Sequence, residues 1–122
     1  MTDSRVSWME HKGERILYTD YSNAKPDEVI STVDESVAVS FSQEKKSLLQ
    51  IVNVSNASYD LKSWQYLRQR AKETEPYTKA SAVLGVEGPK KHLLTVTKMV
   101  SKRNIKAFDN IEDAKDWLIS QK

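Results

Sequence analysis

Short runs of β-branched and aromatic residues alternate along this chain with longer stretches whose apolar positions recur every three or four residues. Val6 to Glu10 and Arg15 to Tyr21 are strand-like, and His11-Lys12-Gly13-Glu14 joins them. A glycine in so short a polar link predicts a hairpin over about residues 6–21. The loop Ser22-Asn23-Ala24-Lys25 then leads to Pro26, Asp27 and Glu28. Proline suits the first turn of a helix, and the two carboxylates suit its positive end. Val29, Ile30, Val33, Val37, Ala38 and Phe41 make one apolar face, which should lie on a sheet.

Leu48 to Val54 is a compact apolar run, the pattern of a central strand buried on both faces. Ser55-Asn56-Ala57-Ser58-Tyr59-Asp60 supplies the short polar side chains of turns and caps. Leu61, Trp64, Leu67 and Ala71 mark the inner face of a second helix, which Pro76 ends. Tyr77 to Val86 is a third main strand with Ala80, Ala82, Val83 and Leu84 as its core. Gly88 and Pro89 open a third helix with Leu93, Val96 and Val100 on one face and Lys91, Thr95, Lys98 and Lys102 on the other. Ile105 to Phe108 is a last strand. Asn110 and Asp113 cap a final helix whose Ile111, Ala114, Trp117 and Leu118 turn inward. The order β-β-α-β-α-β-α-β-α predicts a single α/β domain over residues 1–122, a mostly parallel sheet with helices packed on it. The first hairpin strand makes one antiparallel edge.

Composition narrows the function classes. A chain of 122 residues has the length of one domain with one continuous core. With 39% hydrophobic and 30% charged residues, it is neither disordered nor membrane-spanning by composition. The start, Met1-Thr2-Asp3-Ser4-Arg5, lacks the charged and apolar blocks of a secretory signal, so a cytoplasmic location is expected. There is no cysteine, which removes disulfides and thiolate chemistry. The two histidines, His11 and His92, stand far apart, so neither a metal nor another cofactor is expected.

Several runs together resemble the SpoIIAA-like family, a bacterial relative of STAS domains that is more distantly compared with CRAL-TRIO lipid-binding modules. They are Ile16 to Ser22, Asn53 to Ala57, Lys79 to Gly88 with Lys90 and Lys91 behind it, and Phe108-Asp109 followed by Ala114, Trp117 and Leu118. The resemblance extends from about Ile16 onward. It implies a small α/β domain, a partner-binding or ligand-sensing module and seldom an enzyme. In the anti-sigma-factor antagonists of that superfamily, a serine after an aspartate at the start of the second main helix is phosphorylated. Asp60-Leu61-Lys62-Ser63 falls there without an Asp-Ser pair, which leaves Ser58 and Ser63 as the candidate phosphorylation sites.

Three constellations remain on the residues themselves. The turn from Gly85 through Gly88 to Lys90 and Lys91 precedes a helix whose N-terminus favours an anion. Against an anion, Pro89 removes a donor, Glu87 adds a carboxylate, and close packing of strand and helix at the glycines is the stronger explanation of them. Next, Ser22, Asn23, Asn53, Ser55, Asn56, Glu87 and Asp109 collect at the carboxyl ends of the parallel strands, where open α/β sheets bind ligands. Asn53, Ser55 and Asn56 with Gly85, Gly88, Lys90 and Lys91 are therefore the candidate site for a small molecule or lipid. Turns and caps demand the same residue types. Finally, from Gly88 to Phe108 there are six Lys or Arg and no Asp or Glu. Lys91, Lys98 and Lys102 share a helical face that suits an acidic protein partner, a second copy of the chain or the surface of an anionic membrane. No aromatic residue interleaves the lysines, so nucleic acid is not expected. No acid/base pair, triad or nucleophile elbow is present, and an enzyme is not expected either.

Overall fold

The computed structural model of the chain describes residues 4–85 and 104–121. Five strands form one sheet in the order β1-β2-β3-β4-β5: Val6–His11, Glu14–Asp20, Leu48–Asn53, Thr78–Leu84 and Ile105–Phe108. β1 and β2 are antiparallel, and every later pairing is parallel. The described helices are α1 (Pro26–Phe41), α2 (Leu61–Thr74) and α3 (Ile111–Ser120). The α/β class, the hairpin and the strand sequence follow the sequence-based expectation. The expected third helix, with Gly88, Lys90, Lys91, Lys98 and Lys102, lies outside the described residues.

Local chemistry explains each boundary. The hairpin closes at His11 and Glu14 across Lys12 and Gly13, with φ of 52° and 82°. Positive φ at both central residues matches the twist of the flanking strands, and glycine takes it without steric cost. Pro26 is the first residue of α1, and Glu28 accepts a hydrogen bond from the Lys25 backbone N–H at 3.0 Å. Asp60 caps α2 by accepting from the Ser63 N–H at 2.7 Å, while the Asp60 N–H donates to the Ser63 hydroxyl at 3.0 Å. α2 ends at Thr74 in a 3-10 turn over Glu75–Tyr77 that contains Pro76. Asn110 caps α3 by accepting from the Asp113 N–H at 2.9 Å.

Strand alternation divides the core between two faces. On one face Ile16, Leu49, Ile51, Ala80, Ala82 and Leu84 pack against Ala114 and Leu118 of α3. On the other stand Leu17, Thr19, Gln50, Ser81 and Val83, all buried, with the hydroxyls of Thr19 and Ser36 of α1 3.4 Å apart. Val29, Val33 and Val37 of α1 join Tyr66 and Leu67 of α2 in a second cluster.

The predicted inner faces of two helices need correction. Ala38 and Phe41 of α1 are exposed and Ile30 is half-buried; the buried side is Val29, Thr32, Val33, Ser36, Val37 and Ser40. Small hydroxyl residues let α1 approach the sheet closely, which a count of apolar positions cannot register. In α2, Leu61 is 71% exposed, whereas Trp64, Leu67 and Ala71 are half-buried. α2 packs chiefly on α1; in its first turn Ser63 is buried and Leu61 stands on the outward side.

Candidate functional site

The carboxyl ends of β2, β3 and β4 meet as predicted, and the sheet ladder continues through the loops that leave them. The Tyr21 N–H donates to the Asn53 carbonyl at 2.7 Å, Asn23 N–H to the Ser55 carbonyl at 2.9 Å, and Val54 N–H to the Leu84 carbonyl at 2.9 Å. The Ser58 N–H reaches the Ala24 carbonyl at 2.8 Å and ties this loop to the start of α1. Pairing of this kind satisfies backbone groups that a loop would otherwise present to water or to a ligand.

The side chains singled out from the sequence serve the same closure. Asn53 donates from Nδ2 to the Tyr18 hydroxyl at 3.0 Å and accepts from the Ser55 N–H at 3.0 Å, which makes it both an Asx turn and a link between β3 and β2. Asp20 accepts from the Ser22 N–H at 2.8 Å in an equivalent turn after β2. Asn56 and Asn23 hold left-handed backbone, with φ of 56° and 58°. Asparagine tolerates that region better than most residues.

Gly85 has φ of 82°, and a Cβ there would lie 2.7 Å from the Ser55 N and 2.8 Å from its Cα, with the Ser55 hydroxyl nearer still. The close-approach explanation therefore accounts for Gly85, and its neighbour is the loop after β3. Gly85, Ser55 and Asn53 are brought together; Asn56 is exposed beside them. Gly88, Lys90 and Lys91 of the candidate ligand site, and Lys91, Lys98 and Lys102 of the candidate partner surface, lie outside the described residues.

The two candidate phosphorylation sites differ in access. Ser58 is exposed, whereas Ser63 is 0% exposed and its hydroxyl donates to the Asp60 carbonyl at 3.2 Å. A phosphate on Ser63 would have to displace the cap of α2. Bonds from the Ser63 backbone and side chain hold the Asp60 carboxyl below the usual aspartate range, so the cap is ionised near neutrality.

Two features of this edge escaped the sequence. Arg5 donates from Nη1 to the carbonyls of Asp20 (3.1 Å) and Ser22 (2.9 Å), and from Nη2 to Glu28 at 3.2 Å. It joins the segment before β1 to the end of β2 and the first turn of α1. A lone arginine ahead of a strand carries no signal of this. The other is Leu61, whose spacing from Trp64 and Leu67 is that of a buried residue. Beside it Tyr59 and Trp64 meet edge to face at 6.2 Å, and burial pushes the Tyr59 hydroxyl up to about 12. The loop and first turn of α2 thus carry one exposed leucine and a packed aromatic pair.

No protein-family model matches the sequence, and no curated protein matches it either. Among solved structures, the chain is similar to an uncharacterized protein of the DUF3478 family from Shewanella loihica PV-4, which has a SpoIIAA-like fold. The TM-score is 0.76 at 11% identity, over 93% of this chain and 91% of that one. At that identity the likeness concerns architecture alone. The chain has a SpoIIAA-like fold.

Proposed function

We propose that the chain is a non-enzymatic STAS-like module that binds a protein partner through the loop after β3 and the first turn of α2. The observation that carries this reading is Leu61, 71% exposed on a turn held by the Asp60–Ser63 cap. A large apolar side chain on a rigid turn loses little conformational entropy when a partner covers it. The polar groups of the neighbouring strand ends support the same reading, since Asn53 and Asp20 are already engaged in turns and cross-links. The basic residues Lys91, Lys98 and Lys102 extend the proposal to an acidic partner, and a cytoplasmic location fits it.

Native mass spectrometry of protein purified gently from its source cells tests the reading, with Leu61→Asp as the paired variant. A co-purified protein that Leu61→Asp releases is the expected outcome. Retention of that protein by the variant would remove this surface from consideration.

A small-ligand carrier is a second reading, and one observation favours it. Ser81 is 2% exposed, and its hydroxyl has no hydrogen-bond partner among the described residues. A non-covalent extra mass that disappears on denaturation would support the carrier. An added phosphate on the same material would instead direct attention to Ser58.

A further inference from the structure

The two edges of the sheet are protected to different degrees. β5 has four residues, and Lys106 on it is exposed, a common guard against pairing with another chain. β1 has six residues, pairs with β2 without a bulge from Val6 to His11, and contains neither proline nor lysine. Among the described residues it has a strand on one side only.

Which backbone groups β1 turns outward follows from the register. Arg5 accepts from the Asp20 N–H at 2.7 Å, so the Arg5–Asp20 pair is hydrogen-bonded, and bonded pairs alternate along an antiparallel ladder. Ser7, Met9 and His11 therefore bond to β2, while Val6, Trp8 and Glu10 aim their N–H and C=O groups away from it. Ser4 covers the first of these: its hydroxyl donates to the Val6 carbonyl at 2.7 Å and accepts from the Val6 N–H at 3.1 Å. Among the described residues, the open part of the edge is Trp8 to Glu10.

We propose that this open stretch pairs antiparallel with the same stretch of a second copy, about a two-fold axis through Met9. An axis normal to the sheet keeps each side chain on its own face, so only residues of like parity can stand opposite. Trp8 opposite the second copy's Glu10 is the register that uses every free outward group and leaves the Ser4 cap intact. The side chains suit it. The guanidinium of Arg15 lies 4.1 Å from the centre of the Trp8 ring. The second copy's Glu10 carboxylate then arrives beside a cation already held on that ring, and the contact recurs by symmetry. On the opposite face the two Met9 side chains, each packed against the α3-side core, meet at the axis. No like charges face each other in this register.

The test is sedimentation equilibrium on the full chain, with Glu10→Pro and Glu10→Arg. Proline at residue 10 removes an outward donor and no bond to β2, so the hairpin should persist. Arginine there places like charge against the second copy's Arg15 and also against Arg15 of its own hairpin, so its monomer must first show unchanged circular dichroism. The expected result is a dimer for the unmodified chain and dissociation at least about tenfold easier for both variants, with unchanged circular dichroism. A chain that stays monomeric up to about 1 mM overturns the proposal. So does a folded Glu10→Pro dimer of unchanged strength, and if that variant does not fold, Glu10→Arg decides in the same way. Leu61→Asp should leave this dimer intact, which separates its failure from that of the partner surface above.

Discussion

On the α3 side of the sheet, Ile16, Leu49, Ile51, Ala80, Ala82 and Leu84 interlock with Ala114 and Leu118, and every buried member of the cluster is apolar. On the α1 side, in the same strands and one residue out of phase, Thr19, Gln50 and Ser81 take up part of the buried surface. Thr32, Ser36 and Ser40 of α1 are buried with them, and the Ser40 hydroxyl donates back to the Ser36 carbonyl at 2.9 Å. The first face is held by packing and exclusion of water. The second packs Leu17, Val83, Val29, Val33 and Val37 as well, but adds buried polar groups that must be satisfied, a smaller and more conditional contribution. Stability should therefore reside on the α3 side, while the α1 side has room to change.

Truncation on the dry face should have the largest effect. Leu118→Ala opens a cavity under the one described helix on that side and should cost about 2–5 kcal/mol in urea unfolding. A loss below about 1 kcal/mol would mean that α3 contributes little to the cooperative core. On the polar face a substitution should act with the opposite sign. Ser81→Ala removes a buried hydroxyl that has no partner among the described residues, and the midpoint should rise by an amount equivalent to about 1 kcal/mol. A fall of that size would show that the hydroxyl is satisfied in solution, by water or by the ligand of the carrier reading.

The smallest effect concerns acid. His11 Nε2 and Lys12 Nζ lie 2.8 and 3.2 Å from Asp116 Oδ1 and join the hairpin tip to α3. The hydrogen bond from His11, then that from Lys12, hold the Asp116 carboxyl below its ordinary 3.8. A depressed carboxyl contributes stability that is full above its unfolded pKa and lost as pH falls through its folded one. Thermal melts of the unmodified chain should fall more steeply than those of Asp116→Asn below about pH 4, with the two curves parallel above about pH 5. Parallel curves throughout would mean that the clasp adds nothing measurable.

The hairpin, each strand and the caps of α2 and α3 were legible in short windows because their causes are local: Gly13 at positive φ, Asp60 and Asn110 before a helix, and Pro76 after one. The candidate site was legible only in part. Asn53, Ser55 and Gly85 were correctly gathered at one edge, but their type is shared by ligand sites and by turns. Only the distances from Asn53 to Tyr18, and from Gly85 to Ser55, show that these residues close the loops. Arg5, whose contacts lie with Asp20, Ser22 and Glu28, left no mark in its own neighbourhood.

The sequence by itself determined the order and type of the described elements, since period, turn residues and caps act over a few positions. It also carried the likeness to a SpoIIAA-like fold. The inward side of α3 was legible in its spacing, but the exact buried side of α1 and α2 was decided in three dimensions. Ser36 and Ser40 lie inside, with the Thr19 hydroxyl of the sheet facing that of Ser36, whereas Phe41 and Leu61, the last residue of α1 and the first of α2, lie outside. Burial depends on what the rest of the chain places opposite a residue, and periodicity records only the spacing along one element.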